Sequence, residues 1–462
     1  MDSKLPKNWE IVNVSEFVSL LEIGGRPRGG AGKLTEGIPS ISAEHFNYGG
    51  GFKFEKLKFI TEEFYEKLNK GKIKNGDVLV VKDGATTGKS AYIDNKFPFD
   101  KAAVNEHTFI IRTYEGFENK LLFYFTLSSD FNNYILNTIG GSTIGGIKKG
   151  FINELRFNLP PLAEQQRIVA KLDTLFGSLD ALKIRLNNIP QLIKNFKQAV
   201  LTQAVTGKLT QEWRVGKELE EWENLKIEDV IKSLNQGWSP KCESFPSKGD
   251  KIWGVIKTSA VQPLKFIEGE NKQLPVHLEP RKQHELITGD LLITRAGPRV
   301  RVGIASLVKK VRPKLMICDK VYRLRVDKKI IKSEFLEIIL NSPQILAIIE
   351  IMKTGISDSG LNLTQTKFKS IKFNLPPKEE QTEIVKRVEN LFSKADAIEK
   401  QYKTLKEKID RLPQAILAKA FKGELVAQLP TDGDAKDLLE EIKKLKESLV
   451  VKPKKKVVRN KK

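Results

Sequence analysis

Two stretches of the chain place apolar residues at alternating steps of four and three positions. The first stretch has Ile168, Leu172, Leu175, Leu179, Leu182, Leu186, Ile189, Ile193, Phe196 and Val200, and the second has Ile384, Val388, Leu391, Ala395, Ile398, Tyr402, Leu405, Ile409, Leu412 and Ile416. A repeat of 3.5 residues that persists this long is typical of a coiled-coil seam. The pattern therefore predicts two long helices that pair with each other.

Prolines and glycines indicate where these helices begin and end. Pro160 and Pro161, with their counterparts at 376 and 377, suit the first turn of a helix. Gly207 and Gly423 suit a left-handed C-terminal cap. Interior prolines at 190 and 413 lie at non-equivalent places, and we expect them to kink or interrupt the helices.

Both stretches belong to a duplicated block. The segment 157–161 (Phe-Asn-Leu-Pro-Pro) recurs at 373–377, and Glu164-Gln165 recurs at 380–381. The same offset of 216 continues without a gap from position 157 to position 210. An internal repeat of this kind predicts that the chain contains the same structural plan twice.

The regions in front of the blocks combine short strand-like runs with apolar stretches of helical length. Strands are expected within 77–82, 108–112, 290–294 and 321–326, and helices near 121–136 and 335–352. We therefore predict an α+β chain with two β-rich domains, two repeat blocks that each contain a long helix, and a C-terminal helix with a basic tail. The predicted boundaries are 1–156, 157–210, 211–372, 373–426 and 427–462.

Connectivity predicts how the two helices pair. If the second β-rich domain is compact, its two ends lie close together, so the helices that flank it run antiparallel. The β-rich domains then lie at opposite ends of the coiled coil, related by a pseudo-twofold axis. The seam spans 32 residues, or roughly 48 Å at about 1.5 Å per residue. One turn of a DNA duplex is about 34–36 Å, so the coiled coil has the length of a DNA spacer.

Charge and composition restrict the class of partner. The net charge is +22 and the pI is about 9.6, and the segment 452–462 carries seven of the basic residues. The remaining excess favours a polyanion such as nucleic acid. Two cysteines and four histidines without metal-type spacing predict no metal site. No apolar run is long enough to span a bilayer, and no signal peptide is apparent, so we expect a cytoplasmic protein without a membrane partner.

Eight basic residues and one threonine, most of them near glycines, are the predicted DNA-binding groups. They are Arg26, Arg28, Lys82, Thr86, Lys89, Lys148, Arg295, Arg299 and Arg301. Arginine can recognise guanine in the major groove, yet it also binds phosphates, and either role is compatible with the sequence, as is a surface charge without a ligand. Lys82 and Lys89 are expected on phosphates, and His107 is expected to be a packed residue at the end of a strand.

Two motifs resemble catalytic sequences without matching them. Residues 84–90 (Gly-Ala-Thr-Thr-Gly-Lys-Ser) have three residues between the glycines, whereas a P-loop has four. Asn158 and its repeat are followed by Leu-Pro-Pro, and a leucine therefore separates asparagine from the prolines that an adenine methyltransferase motif requires. We expect no cofactor and no catalytic residue in this chain.

The duplicated Leu-Pro-Pro-x-x-Glu-Gln blocks, each opening a long helix behind a β-rich domain, resemble the specificity subunit of type I restriction–modification systems. Residues 83–89 (Asp-Gly-Ala-Thr-Thr-Gly-Lys) and 105–107 (Asn-Glu-His) are similar to parts of that family's target-recognition domains. The second domain lacks the first of these motifs, and its nearest equivalent is 295–299 (Arg-Ala-Gly-Pro-Arg).

The resemblance implies a non-catalytic subunit that binds double-stranded DNA at a split, asymmetric site. Each target-recognition domain would recognise one half, and the helices would set the gap between the halves. The resemblance also implies two adenine methyltransferase subunits, which bind S-adenosylmethionine, and two ATP-dependent restriction subunits as partners. The alternatives are a self-sufficient methyltransferase or nuclease, and a coiled-coil scaffold whose basic charge is incidental.

Overall fold

The computed structural model describes residues 5–31, 34–139 and 145–449 of the 462-residue chain. The predicted basic tail at 452–462 lies outside these residues. Contacts divide the chain into two units, which we call unit 1 (1–185 and 405–462) and unit 2 (186–404).

The described residues up to 205 form nine strands and five α-helices. The strands are β1 (Glu10–Asn13), β2 (Val18–Ile23), β3 (Ile38–Ile41), β4 (Lys58–Ile60), β5 (Val78–Val81), β6 (Ser90–Tyr92), β7 (Ala103–Val104), β8 (Thr108–Thr113) and β9 (Arg156–Leu159). The helices are α1 (Glu62–Lys67), α2 (Asn119–Thr126), α3 (Ser129–Ile139), α4 (Phe151–Glu154) and α5 (Leu162–Val205).

The rest of the described chain repeats this order with additional short strands. The strands are β10 (Glu223–Lys226), β11 (Ile231–Gln236), β12 (Gly254–Ile256), β13 (Val261–Gln262), β14 (Lys265–Phe266), β15 (Asn271–Gln273), β16 (Leu291–Thr294), β17 (Ala296–Gly297), β18 (Ala305–Leu307), β19 (Leu315–Met316), β20 (Val321–Val326), β21 (Leu361–Asn362) and β22 (Lys372–Leu375). The helices are α6 (Gln211–Arg214), α7 (Ile227–Val230), α8 (Ser333–Leu340), α9 (Pro343–Met352), α10 (Gln365–Lys369), α11 (Lys378–Phe421) and α12 (Ala435–Leu449). Single 3-10 turns lie at Val14–Glu16, Ala43–His45, Lys208–Thr210, Thr258–Ala260 and Lys282–His284.

Unit 1 is built on an antiparallel sheet in the order β2-β8-β5-β6, with a three-stranded sheet in the order β4-β3-β7 and the pair β1-β9. All four residues of β5 are buried, because α2 and the second sheet cover its two faces. Alternate residues therefore enter two different cores, which explains the uninterrupted apolar run Val-Leu-Val-Val in the sequence.

Unit 2 repeats the plan with sheets in the orders β11-β20-β16-β18 and β15-β12-β19 and the pair β10-β22. The hairpin β13-β14 and the pair β17-β21 complete it. The α+β class and the internal repeat predicted from the sequence are therefore confirmed.

Each unit contains parts of both long helices, and in each unit they pack antiparallel. In unit 1, Leu172 near the start of α5 shares a hydrophobic core with Leu417 near the end of α11. In unit 2, Val200 near the end of α5 shares a core with Val388 near the start of α11. The predicted antiparallel pairing is thus present in both units.

The helix boundaries agree with the sequence pattern, whereas the interior prolines do not cause an interruption. Both prolines of each junction lie between a strand and a long helix, and Gly207 and Gly423 have φ of 76° and 73°. Pro190 and Pro413 do not interrupt their helices, which run on as single 44-residue elements. A proline inside a helix removes one backbone hydrogen bond and costs about 3 kcal/mol, and packing along a helix of this length outweighs that local cost.

The predicted seam is only partly buried. In α5 the side chain of Leu182 is 44% exposed, and in α11 that of Leu405 is 46% exposed, whereas Leu186 and Ile409 are buried. The predicted helical stretches of the β-rich regions are each divided in two, at 127–128 between α2 and α3 and at 341–342 between α8 and α9.

No single described helix is long and apolar enough to cross a membrane. The pair α8 and α9, bent by 65°, has the required length and composition when its two helices are taken together. Phe335 and Ile349 of this pair are fully buried in the core of unit 2.

Candidate nucleic-acid interface

One end of the main sheet of unit 1 brings together the loops that carry most of the predicted DNA-binding residues. Because neighbouring strands are antiparallel, the ends of β2 and β5 lie beside the starts of β8 and β6. The loops at this end are 24–30, 82–89 and 105–107. The segment 145–149 joins them, since the Ile147 amide donates to the Lys82 carbonyl at 2.7 Å. We call these four segments loop cluster 1.

Unit 2 has an equivalent set of loops at the same end of its main sheet. They are 237–241 after β11, 295–304 between β16 and β18, 318–320 before β20 and the segment 361–363. The Leu363 amide donates to the Arg295 carbonyl at 2.7 Å, and the Arg295 amide donates to the Lys320 carbonyl at 2.9 Å. We call these segments loop cluster 2.

The two clusters correspond at the ends of their central strands. The strands β2, β5 and β8 begin 213 residues before β11, β16 and β20. At this offset Lys82 corresponds to Arg295, and the backbone carbonyl of each accepts from an amide of the fourth segment, Ile147 in one cluster and Leu363 in the other. Gly24 corresponds to Gly237: a Cβ on Gly24 would lie 1.6 Å from the Val104 carbonyl oxygen, and one on Gly237 would lie 2.1 Å from that of Ile317. Both loops therefore leave their strands through a passage that only glycine fits.

Three predicted residues of unit 1 differ in how firmly they are held. Arg26 is exposed, and its Nε lies 2.7 Å from Oε1 of Glu106. Lys82 is half-buried, and its Nζ lies 3.0 Å from Oδ2 of Asp83. Arg28 is exposed, with no side-chain hydrogen bond or ion pair to any residue within the described ranges.

The other predicted residues of unit 1 lie in the same cluster. Lys89 has its Nζ 3.7 Å from the ring centre of Tyr48. Thr86 is half-buried in the loop between β5 and β6, where its carbonyl accepts from the Lys89 amide at 3.1 Å. Lys148 is exposed and lines an open cleft together with Lys82. The structure thus brings all six predicted residues of unit 1 to one end of the sheet.

The three predicted arginines of unit 2 lie in the loop between β16 and β18. The Nε of Arg295 donates to the Asp319 carbonyl at 2.8 Å, and its guanidinium lies 5.6 Å from the ring centre of Tyr322. Arg299 forms ion pairs with both Glu350 and Asp358. Within the part of the chain that the structure describes, the side chain of Arg301 has no hydrogen bond or ion pair.

The expectation that His107 is packed is wrong. His107 directly precedes β8, at a strand end as expected, but its side chain is 44% exposed, and its Nδ1 lies 2.5 Å from Oδ1 of Asp83. Burial alone would raise the pKa of Asp83, but hydrogen bonds from Lys82 and His107 outweigh burial and hold that pKa below its ordinary value. Asp83 therefore remains an anion that orients two of its neighbours.

Three residues in or beside the clusters were given no role of their own from the sequence: Glu106, Asp319 and Tyr48. Glu106 and Asp319 occupy equivalent positions and hold Arg26 and Ser239 respectively. Tyr48 is 84% exposed beside Lys89, and an exposed aromatic residue followed by three glycines was the available signal. The acidic pair was not detectable, because its equivalence depends on the register of two sheets.

The geometry excludes the two catalytic motifs considered from the sequence. The segment after Gly88 enters the strand β6 rather than a helix, so it lacks the helix N-terminus that completes a P-loop. Asn158 lies in β9, and its Nδ2 donates to the Phe421 carbonyl at 2.8 Å, which is a structural contact. Among the described residues no group of three or more His, Cys, Asp or Glu side chains could hold a metal ion.

The family model described as the type I restriction modification DNA specificity domain matches residues 6–191 and again residues 219–407. The chain belongs to this specificity family. It is 32% identical to the specificity subunit of type I restriction enzyme EcoKI from Escherichia coli K12, over 95% of this chain and 96% of that one. It is 30% identical to the StySPI specificity subunit from Salmonella potsdam, over 92% of this chain and 91% of the other.

Solved structures of the family share the fold. The HsdS subunit from Thermoanaerobacter tengcongensis aligns with a TM-score of 0.59 at 19% identity, over 92% of this chain and 99% of that one. A chain from a structural study of complex assembly and conformational transition of the type I R-M system aligns with a TM-score of 0.65 at 20% identity, over 91% of this chain and all of the other. This member of the specificity family is a non-catalytic specificity subunit, since catalysis in type I systems lies in partner subunits.

Proposed function

We propose that this specificity subunit binds a bipartite, asymmetric DNA site, with loop cluster 1 on one half and loop cluster 2 on the other. The observation that carries the proposal is the correspondence of the two clusters, which place basic residues such as Lys82 and Arg295 at equivalent positions. Two copies of one framework with different loop residues suit two different half-sites. Lysines supply phosphate contacts that fix the register, and arginines are able to contact base edges.

The two long helices would set the spacer between the half-sites. Each has 44 residues, which corresponds to roughly 66 Å at about 1.5 Å per residue. A helix pair of this length spans more than one duplex turn of about 34–36 Å. The spacer would then be a fixed number of base pairs, because helices of this kind do not stretch.

The chain would direct two adenine methyltransferase subunits and two ATP-dependent restriction subunits to this site, in the cytoplasm. The support is the family to which it belongs, together with specificity subunits of type I restriction enzymes as relatives. Native mass spectrometry of the chain co-expressed with its methyltransferase would give the number of methyltransferase subunits per specificity subunit. A mass corresponding to two methyltransferase subunits per chain is expected, and a single copy or no complex would contradict this stoichiometry.

Mapping of adenine methylation at base resolution tests DNA recognition directly. Cells that express the chain and its methyltransferase are compared with cells that lack only this chain. We expect a split, asymmetric motif with a fixed gap, methylated on both strands and lost with the chain. Unchanged methylation, with both proteins present and co-purifying, would contradict the proposal and favour a scaffold role.

A further inference from the structure

Arg26 differs from the other basic residues of the clusters in how it is held. Its Nε lies 2.7 Å from Oε1 of Glu106, and its side chain is 56% exposed. Within residues 5–31, 34–139 and 145–449, neither terminal nitrogen of Arg26 has a hydrogen-bond partner. The guanidinium is therefore ion-paired beside its Nε, and its two outer nitrogens make no hydrogen bond to the described residues.

The position of Arg26 is defined by the framework rather than by a mobile loop. It lies two residues after Gly24, where the backbone passes against the Val104 carbonyl, and Glu106 lies two residues after Val104. The other oxygen of Glu106 is buried and has no hydrogen-bond partner among the described residues. Arg26 is thus the only group seen to compensate this carboxylate at short range besides His107, whose Nε2 lies 3.3 Å from Oε1.

Unit 2 has an acidic residue at the same position with a different partner. Ser239 lies two residues after Gly237, and its hydroxyl donates to a carboxylate oxygen of Asp319, the counterpart of Glu106. The two halves of the chain thus share a carboxylate and differ in the side chain that it holds, a guanidinium in one and a hydroxyl in the other.

The arginines of unit 2 do not replace this guanidinium. The Nε of Arg295 donates to a backbone carbonyl of its own unit, and the Nε and Nη1 of Arg299 are paired with Asp358 and Glu350. A guanidinium that recognises guanine needs two free N–H groups in one plane for O6 and N7. Arg295 is likewise held at Nε, but its side chain is half-buried and its guanidinium lies 5.6 Å from the ring centre of Tyr322. Arg301 is half-buried, and no described residue holds its guanidinium. Arg26 differs from these arginines in being exposed, with a carboxylate at Nε and no hydrogen bond from either terminal nitrogen to a described residue.

We propose that Arg26 recognises a guanine in the half-site bound by unit 1, that Glu106 is its positioning residue, and that Ser239 and Asp319 form the corresponding but different contact point of unit 2. The inference rests on the proposed function, because it assigns a base contact within one half-site. A carboxylate beside Nε restricts the positions that the guanidinium can take and lowers the entropy lost on binding.

The test uses the chain in complex with its methyltransferase, and the variants Arg26→Gln, Glu106→Gln and their combination. Arg156→Gln is the matched control, because Arg156 is an exposed arginine of unit 1 in β9, outside loop cluster 1. Methylation mapping of the unaltered complex first defines the motif. Competition binding with duplexes that differ at one base pair then measures discrimination at each position.

Arg26→Gln is expected to lose about 5- to 150-fold discrimination at one guanine of one half-site, with the other half-site unchanged. Glu106→Gln is expected to lose part of the discrimination at the same base pair, and the double variant is expected to be no worse than Arg26→Gln. A merely structural role of Glu106 would instead lower the melting temperature and total methylation without changing base preference at that position.

Three results would overturn the inference. The first is unchanged discrimination at every position with Arg26→Gln. The second is a uniform loss of affinity with a smaller salt dependence, which would make Arg26 a phosphate contact. The third is an effect of Glu106→Gln at a different base pair. If methylation by the unaltered complex shows no split motif that depends on this chain, the proposed function itself fails. This outcome is seen before any variant is compared, so it is distinct from a failure of the inference about Arg26.

Discussion

The indole Nε1 of Trp9 donates to Oε2 of Glu164 at 2.8 Å, although the two residues are 155 positions apart. The contact recurs in unit 2, where the indole of Trp222 donates to Oε2 of Glu380 at 2.9 Å. Both carboxylates are fully buried at the start of a long helix. The duplicated Glu-Gln of the sequence therefore serves to fasten the beginning of each recognition domain to its own repeat block.

Loss of this carboxylate should destabilise one unit and leave the other intact. Glu164→Ala removes the acceptor of Trp9 and of the Gln428 amide, which donates at 2.8 Å. Unsatisfied buried donors cost about 1–3 kcal/mol, and we expect that loss in the unfolding free energy of unit 1, measured by hydrogen exchange of its amides. The double variant Trp9→Phe, Glu164→Ala should lose less unfolding free energy than the sum of the losses of the two single variants. The reason is that the double variant has no buried indole N–H without a partner. Additive effects would contradict a direct contact.

Close backbone passage at Gly24 leads to a second prediction. Gly24→Ala would place a Cβ 1.6 Å from a backbone oxygen, whereas the space around Gly49, in the same unit, is open. The loop of Arg26 must shift to accommodate the methyl group, so DNA binding by the complex should fall by at least tenfold. Gly49→Ala is the control and should bind like the unaltered protein. Equal DNA affinity of both variants in a filter-binding or anisotropy measurement would show that the loop 24–30 does not contribute to DNA binding.

Sequence periodicity was sufficient for the long helices and for the repeat. A 3.5-residue pattern and terminal glycines depend only on local geometry, and Gly207 and Gly423 have the positive φ that their positions indicated. The four predicted strand runs correspond to β5, β8, β16 and β20 for the same reason, since buried apolar runs are visible in the chain itself.

The composition of the clusters could be predicted only in part. Arg26 and Lys82 were identified from charge beside glycine, but Glu106 lies 80 positions from Arg26, and only the sheet register brings them together. The states of Arg295 and Arg299 were also not predictable, because their partners Asp319 and Glu350 come from distant segments. Pairing across a sheet and between loops joins residues that are far apart in the chain. Such contacts leave no periodic pattern in a single sequence.

Phosphate contacts should be visible in the salt dependence of DNA binding. Lys82, Lys89 and Lys148 lie in one cluster, and each phosphate that a lysine neutralises contributes about 0.9 to the slope of log K against log salt concentration. The triple change to glutamine should therefore reduce the slope by about 2 to 3 and weaken binding to all sequences alike. A matched triple change of exposed lysines on α11, Lys386, Lys394 and Lys400, should leave the slope unchanged. Similar salt-dependence slopes for both triple variants would exclude Lys82, Lys89 and Lys148 of loop cluster 1 as phosphate contacts.

Glu337 makes the stability of unit 2 depend on pH. Burial raises the pKa of this carboxyl to about 7 from 4.5, although the Leu307 amide donates to it at 2.6 Å. Below pH 4.5 both the folded and the unfolded forms are protonated. As the pH rises from 4.5 to 7, the unfolded form loses its proton first, so the stability of unit 2 falls over this window and is constant above it.

Glu337→Gln should remove this dependence. The variant should match the unaltered protein near pH 4.5 and exceed its unfolding free energy at pH 8 by up to about 3 kcal/mol. Glu279→Gln, at an exposed position of the same unit, is the control. The unfolding free energy of unit 2 is measured at both pH values by urea unfolding followed by amide exchange. An equal difference in unfolding free energy between Glu337→Gln and the unaltered protein at pH 4.5 and pH 8 would contradict the proposed titration.

The helix α12 should act as a structural part of unit 1 rather than as a terminal appendage. Leu438 and Ile442 are 5% and 1% exposed in the core of that unit, while Leu449 on the same helix is 65% exposed. Replacing a buried Leu or Ile by alanine costs about 2–5 kcal/mol, so Leu438→Ala and Ile442→Ala should each lower the stability of unit 1 by that amount. Leu449→Ala should change it by less than about 0.5 kcal/mol.

Hydrogen bonds from α12 indicate where the loss of stability in its variants should appear first. The Ala435 amide donates to the Asn8 carbonyl at 3.0 Å, and Nζ of Lys446 donates to the Ser15 carbonyl at 3.1 Å, so α12 holds the segment that leads into β2. Loss of its apolar face should therefore increase amide exchange in β1 and β2 while β11 and β20 of unit 2 keep their protection. Because β2 leads directly to Arg26, DNA binding through unit 1 should weaken in proportion. Uniform loss of protection in both units would instead mean that the chain unfolds as a single cooperative body.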